Sequence, residues 1–127
     1  MSTNQAKGPL SGVRVIDLTA MIFGPYATQI MADMGADVIK IETPEGDPTR
    51  YVSVAPAPGL AGVYVNVNRG KRAVVLDLKT EAGKAALRKL IAGADVFILS
   101  MRAKAIRKLG FDYAAVSAIN PGIVSTN

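Results

Sequence analysis

The amino-acid sequence predicts an α/β fold, a Rossmann-like, doubly wound sheet of parallel strands. Short apolar runs alternate with segments of helical periodicity along the chain. The runs are apolar at nearly every position, which is typical of strands that are buried on both faces of a parallel sheet. The first strand, helix and second strand follow one another closely, as in a right-handed βαβ unit.

The first βαβ unit opens the predicted sheet. Val13–Leu18 is an apolar strand. The helix after it begins at Pro25, because proline is tolerated in the first helical turn, where its missing N–H has no partner. Gly35 ends the helix, as glycine commonly does, and Asp37–Glu42 is the second strand.

A long loop is predicted from Thr43 to Gly59, where four prolines and two glycines interrupt any regular element. A loop of this length in a compact domain is usually functional or contacts another chain. Residues 62–67 are apolar and fit either a strand or a short helix. Residues 68–72, Asn-Arg-Gly-Lys-Arg, form a basic turn that leads into a third strand at 73–78.

Capping residues delimit the remaining elements. Thr80 is a good N-cap for a helix that Gly93 ends, and a fourth strand follows at 95–99. Asp112 caps a second helix of this half. A short helix at 104–109 and a strand at 122–126 complete the predicted elements. Because the chain stops at this strand, we expect it to be part of a larger domain.

Composition and charge exclude several kinds of chemistry. The 127 residues include no Cys and no His, which excludes disulfides, thiolate nucleophiles and Ser-His-Asp triads. Residues 1–63 carry a net charge of −2 and residues 64–127 carry +7. A basic half suits a polyanionic partner, either nucleic acid or a phosphorylated small molecule. Aromatic residues are sparse, which argues against base stacking, and we expect no nucleic-acid partner.

The chain is expected to be cytoplasmic and not bound to a membrane. No apolar run reaches the roughly 18 residues of a membrane-spanning helix. Residues 1–7 lack the apolar core of a signal peptide, so we interpret them as a disordered lead-in.

Two segments are candidates for ligand binding. In the basic turn, Gly70 lets the backbone come close while its cationic neighbours offer charge-assisted donors to phosphate; the alternative is a solvated turn. The turn from Thr19 to Pro25 lies where a strand ends and a helix begins, which is where open α/β sheets bind ligands. It is apolar, so it suits a hydrophobic ligand segment or the core.

The cations after the fourth strand fit a solvated helix face. The aspartates that flank strands are expected to be structural or capping residues: Asp17, Asp37, Asp77 and Asp95.

Taken in order, the motifs resemble family III CoA-transferases, which include formyl-CoA transferase, carnitine CoA-transferase and α-methylacyl-CoA racemase. The resemblance covers residues 8 to about 121. It is carried by Gly8–Thr19, Gly24-Pro25, Gly35–Glu42, Gly46–Arg50, Asn68–Arg72, Leu76–Lys79, Ala94–Val96, Leu109–Phe111 and Asn120-Pro121.

The resemblance implies that residues 8–127 are the N-terminal part of a Rossmann-like CoA-transferase large domain. A CoA thioester and a carboxylic acid would be the substrates, with no permanently bound cofactor and no metal. The full-length protein would be an interlocked homodimer. By the same resemblance, the residues that hold CoA are Met21, Ile22, Arg69, Lys71, Arg72 and Arg102.

In the transferases of this family an aspartate attacks the acyl-CoA thioester, forming an anhydride and then an enzyme CoA thioester. The resemblance places that aspartate beyond Asn127, so no catalytic residue is assigned here. A racemase-type member and a non-catalytic CoA- or nucleotide-binding module stay open as alternatives.

Overall fold

The structure is a computed structural model that describes residues 8–127. The predicted lead-in at 1–7 lies outside these residues. The described strands are β1 (Arg14–Leu18), β2 (Asp37–Glu42), β3 (Arg72–Val75), β4 (Val96–Leu99) and β5 (Val124–Thr126). The helices are α1 (Phe23–Asp33), α2 (Gly62–Asn68), α3 (Glu81–Ala92), α4 (Ala103–Leu109) and α5 (Tyr113–Ile119), with a 3₁₀ helix at Pro48–Tyr51.

Within residues 8–127, five strands form one parallel sheet in the order β3-β2-β1-β4-β5, which confirms the predicted α/β class. The central strand is β1, where Ile16 lies opposite Ile39 of β2 and Phe97 of β4. Strands β2 and β3 are added on one side of β1, and β4 and β5 on the other, so the order of strands reverses between β1 and β4. Open α/β sheets bind ligands outside the carboxyl ends of the strands at such a switch point.

The two faces of the sheet are covered differently. On the α3 side, Ile16, Ile39 and Phe97 pack with Leu87 and Ile91 of α3 in the larger apolar core. On the α1 side, a small apolar cluster around Val15 and Val38 gives way to buried polar and charged side chains nearer the carboxyl edge. Strands β1, β2 and β4 are thus largely buried, as predicted, and one face of the sheet is largely ionic. The prediction is wrong for β3 and β5, which are mostly exposed because they are the edge strands.

The structure resolves one alternative that the sequence left open and shifts the ends of several predicted elements. Helix α1 begins two residues before Pro25, which still lies in the first turn, where N–H groups have no helical partner. The ambiguous run at 62–67 is helix α2. Strand β3 ends at Val75 instead of residue 78, because Asp77 accepts from the Lys79 N–H at 2.9 Å and bends the chain. Among residues 8–127, no helix has the length and apolar character needed to cross a bilayer.

Candidate functional site

A cavity of about 930 Å³ opens at the carboxyl edge of the sheet. Leu18 and Glu42, the last residues of β1 and β2, line it together with Leu76 after β3 and Ser100 after β4. Ligand sites typically measure about 300–1,000 Å³, so this cavity has room for a large cofactor-sized molecule. Its position is the one that an open parallel sheet reserves for ligands.

The floor of the cavity is apolar and its outer border carries three lysines. Lys79 lies in the turn before α3, Lys84 on α3 and Lys108 on α4; together we call them the lysine rim. Lys84 pairs with exposed Glu81 at 3.3 Å, and the border also includes Glu45 and Asp77. The apolar side chains that line the cavity are Leu18, Ile41, Leu76, Leu78, Met101 and Leu109.

Two segments form one wall of the cavity. The β1 turn, residues 19–22, contributes Thr19 and Ala20, and the β2 loop, residues 43–47, contributes every one of its residues. The Ala20 N–H donates to Ser100 Oγ at 3.1 Å, which ties the β1 turn to the segment after β4. Met21 has a φ of 70°, a left-handed conformation that is uncommon for a residue other than glycine.

This wall contains buried charged side chains, and Lys40, Glu42 and Asp47 are themselves among the residues that line the cavity. Lys40 Nζ lies 3.0 Å from Asp47 Oδ2, and each side chain is only 1% exposed. Arg50 pairs with Glu42 at 2.7 Å. Burial alone would raise the pKa of Asp47, but hydrogen bonds from Thr49 and from Lys40 hold it below its usual value. The Asp47 carboxylate is therefore ionised and fixed in place at neutral pH.

Glu42 is the centre of a second set of buried polar contacts, which it makes with Arg50, Tyr64 and the Asp47 N–H. Burial alone would raise its pKa, but hydrogen bonds from Arg50 and Tyr64 and from the Asp47 N–H bring it down to about 2. Tyr64 donates to Glu42 Oε1 at 2.6 Å, and the Arg50 guanidinium lies 3.8 Å from the centre of the Tyr64 ring. Burial and the adjacent Glu42 raise the pKa of Tyr64. These groups form a rigid support beside the cavity.

Three of the six residues expected to hold CoA lie next to the cavity lining. Met21 and Ile22 follow Ala20 and are 50% and 48% exposed. Arg102, the exposed N-cap residue of α4, follows Met101. None of the six residues, all of which the structure describes, is itself among the lining residues.

The basic turn lies elsewhere. Arg72 begins β3 and donates to Asp37, the first residue of β2, so this turn is at the amino edge of the sheet and does not border the cavity. Arg69 pairs with Asp33 at the end of α1 at 2.8 Å. Lys71 is buried, and its ammonium donates to three acceptors: Asp17 Oδ2, Pro25 O and Asn68 Oδ1. A phosphate at Lys71 would have to displace one of them.

The local sequence pattern does not point to the lysine rim. The run that contains Lys108 fits a solvated helix face, and Lys79 is only one member of a motif. The feature of the sequence that indicates the rim is position. Lys79 follows the carboxyl end of the third predicted strand, and Lys108 lies on the helix that follows the fourth. Among the described residues, no group of three or more acidic, His or Cys side chains is placed to hold a metal ion.

Comparison with known proteins identifies similar chains. The family model described as CoA-transferase family III matches residues 10–127. A succinate–glutarate CoA-transferase of Agrobacterium fabrum is 46% identical over 125 residues, covering 93% of this chain and 31% of the relative. An acetyl-CoA:oxalate CoA-transferase of Acetobacter aceti is 42% identical, covering 93% of this chain and 30% of the relative.

Solved structures give the same result. A CAIB/BAIF family protein from Brucella suis superposes with a TM-score of 0.88 at 39% identity, covering 94% of this chain and 32% of that one. A short-chain dehydrogenase/reductase family protein, 19% identical with a TM-score of 0.52, shares the fold alone. The chain thus spans about a third of the length of the curated relatives it matches.

Proposed function

The chain belongs to CoA-transferase family III, and from this premise we propose that it forms the CoA-holding, N-terminal part of an enzyme that transfers CoA between carboxylic acids. The observation that carries the proposal is the cavity at the carboxyl edge, with its apolar floor and lysine rim. The relatives are named for transfer of CoA among several acids, so the acid that this protein uses stays open.

The cavity matches the two chemical halves of CoA. The pantetheine arm is a long chain with apolar and amide groups, which suits the floor around Leu76 and Met101. The diphosphate and 3′-phosphate need cations, which Lys79, Lys84 and Lys108 supply. Each charge-assisted contact contributes roughly 1.5–3 kcal/mol, against about 1 kcal/mol for a neutral hydrogen bond.

Covalent transfer is proposed to use an aspartate outside these 127 residues. Its carboxylate would attack the thioester carbonyl, giving an anhydride and CoA thiolate. The thiolate would then attack the aspartyl carbonyl of the anhydride, releasing the first acid and leaving CoA bound to the enzyme as a thioester. The buried carboxylates of this chain are unsuited to that step, because Asp17, Glu42 and Asp47 are each held by a cation. The expected homodimer and cytoplasmic location stay predictions.

Calorimetry of CoA with the full-length protein tests the proposal. Replacing Lys79 and Lys108 by Ala should weaken binding by about two orders of magnitude, since each factor of ten is about 1.4 kcal/mol. Arg88→Ala with Lys89→Ala removes the same charge from α3, at residues that do not line the cavity, and should leave affinity unchanged.

A third variant tests the basic turn. If Lys71→Ala with Arg72→Ala weakens binding while the rim variant does not, the phosphates lie at the turn and the assignment to the rim is wrong. A parent protein that does not bind CoA would contradict the proposed function. Transfer of CoA between two acids by the full-length protein would separate a transferase from a racemase-type member and from a non-catalytic module.

A further inference from the structure

Lys40 is a buried cation that the proposed binding chemistry does not use. It lies on β2 with its side chain 1% exposed, and its ammonium contacts groups from two other parts of the chain. Nζ donates to Thr19 O at 2.9 Å and pairs with Asp47 Oδ2 at 3.0 Å. Thr19 begins the β1 turn and Asp47 ends the β2 loop, the two segments that form one wall of the cavity.

The far ends of both contacts are themselves fixed. Thr19 donates through its N–H to Asp17 Oδ1 at 2.9 Å. Asp47 accepts from the Thr49 N–H at 2.9 Å, and its own N–H donates to Glu42 Oε2 at 2.9 Å. Lys40 therefore lies between two anchored segments, and a change in its length or charge alters the distance between them.

The choice of a lysine here is informative. A buried ion pair seldom stabilises a fold more than apolar side chains of the same volume would, because both charges lose their hydration. In some proteins such a pair is retained because it specifies one geometry. The geometry that Lys40 specifies is the spacing between the β1 turn and the β2 loop.

We propose that Lys40 is a positioning residue that sets the width of the cavity by holding the β1 turn and the β2 loop together. This inference rests on the proposed function, because the width of the cavity matters only if CoA binds there. Lys40 is among the residues that line the cavity, but its side chain is only 1% exposed and its ammonium is held by Thr19 O and Asp47. It therefore acts through the two segments and is not assigned a direct contact with CoA.

The test removes the tie without leaving an unpaired buried charge. Lys40→Met with Asp47→Asn takes away both charges and the donor to Thr19 O, while the asparagine keeps an oxygen for Thr49. We expect the midpoint of unfolding to stay close to that of the parent, and CoA affinity to fall by tenfold or more. Hydrogen exchange should speed up at the amides of Ala20 and Gly46 but not in α3.

Two further variants keep the inference testable. Asp47→Asn alone leaves the Lys40 bond to Thr19 O but also leaves a buried ammonium without its carboxylate, which lowers stability. Measured at a temperature where it is folded, it should lose less affinity than the double variant. Leu87→Ala, in the core on the other side of the sheet, lowers stability without touching the wall and should bind CoA like the parent at a temperature where both are folded. Equal CoA affinities in the double variant and the parent, or an equal loss in Leu87→Ala, would overturn the role of Lys40.

The two proposals fail in different ways. If the parent does not bind CoA at all, the proposed function is wrong. Exchange at Ala20 and Gly46 then decides on Lys40 alone: faster exchange confined to these amides supports its positioning role, and unchanged exchange overturns it.

Discussion

The ammonium of Lys71 lies 3.0 Å from Oδ2 of Asp17, and the two side chains are 2% and 0% exposed. Burial lowers the pKa of Lys71, and the nearby Asp17 carboxylate opposes that shift. The pair ties the basic turn to β1, the central strand. In the same turn, Arg69 forms an ion pair whose side chains are 60% and 44% exposed. Two cations of one turn thus have opposite environments.

Lys71→Met should lower the free energy of unfolding by about 3–5 kcal/mol, because Asp17 is left as a buried charge without its cation. Arg69→Met is the matched control and should cost no more than about 1 kcal/mol, as for an exposed ion pair. Urea unfolding at pH 7 measures both. Similar costs for the two substitutions would show that the burial of Lys71 has no energetic consequence.

Acid should weaken the fold through Glu42. Its pKa in the folded protein is about 2, below the usual 4.5, so its contribution is fully present above about pH 4.5 and is lost as the pH falls toward 2. Relative to Glu42→Gln, the free energy of unfolding of the parent should fall by up to about 3 kcal/mol over that range. Unfolding curves of both proteins at pH 6, 4 and 2.5 give the difference, and a difference independent of pH would contradict the assigned ionisation.

Gly83→Ala should destabilise the protein although alanine favours helices. A Cβ at this position of α3 would overlap the backbone oxygen of Asp77, and overpacking of this kind costs about 1–3 kcal/mol, against a gain of at most about 1 kcal/mol in helix propensity. Gly62→Ala in α2 is the control, because no other group lies within 4 Å of its added Cβ. Thermal unfolding should show a lower Tm for the first variant and an unchanged or higher one for the second.

The affinity for CoA should fall as salt is added, because the lysine rim is at the outer border of the cavity and solvent ions screen such charges. Raising the salt concentration from about 0.05 to about 0.5 M should weaken CoA binding several-fold. Pantetheine lacks the phosphates, so its weaker binding should change little. Calorimetry of both ligands in the two buffers provides the measurement, and parallel losses would place the phosphates away from the rim.

Local features of the sequence were sufficient to predict most of the fold. The N-caps are as predicted: Thr80 accepts from the Gly83 N–H at 3.1 Å and Asp112 from the Ala115 N–H at 3.1 Å. The run at 62–67 was ambiguous because a short apolar segment carries too few turns to show a period. The end of β3 was missed because the hydrogen bond from the Lys79 N–H to Asp77 outweighs the apolar character of Leu76 and Leu78.

The site was harder to predict than the fold. The charge of the basic turn was visible in the sequence, but the edge of the sheet on which it lies depends on strand direction: Arg72 begins a strand, and the starts of parallel strands lie opposite the ligand edge. The buried charges could have been found, because Lys40 and Glu42 interrupt a strand expected to be buried on both faces. A charge in such a strand needs a partner.

The position of β1 at the centre of the sheet has a consequence for how the chain reaches its folded state. Its neighbour β2 follows within a few tens of residues, but Ile16 meets Phe97 only after 81 more residues have been made. Contacts between such distant residues slow folding. During synthesis one edge of β1 therefore stays unpaired for most of the time the ribosome takes to make this segment, and an unpaired strand edge is prone to pair with other chains.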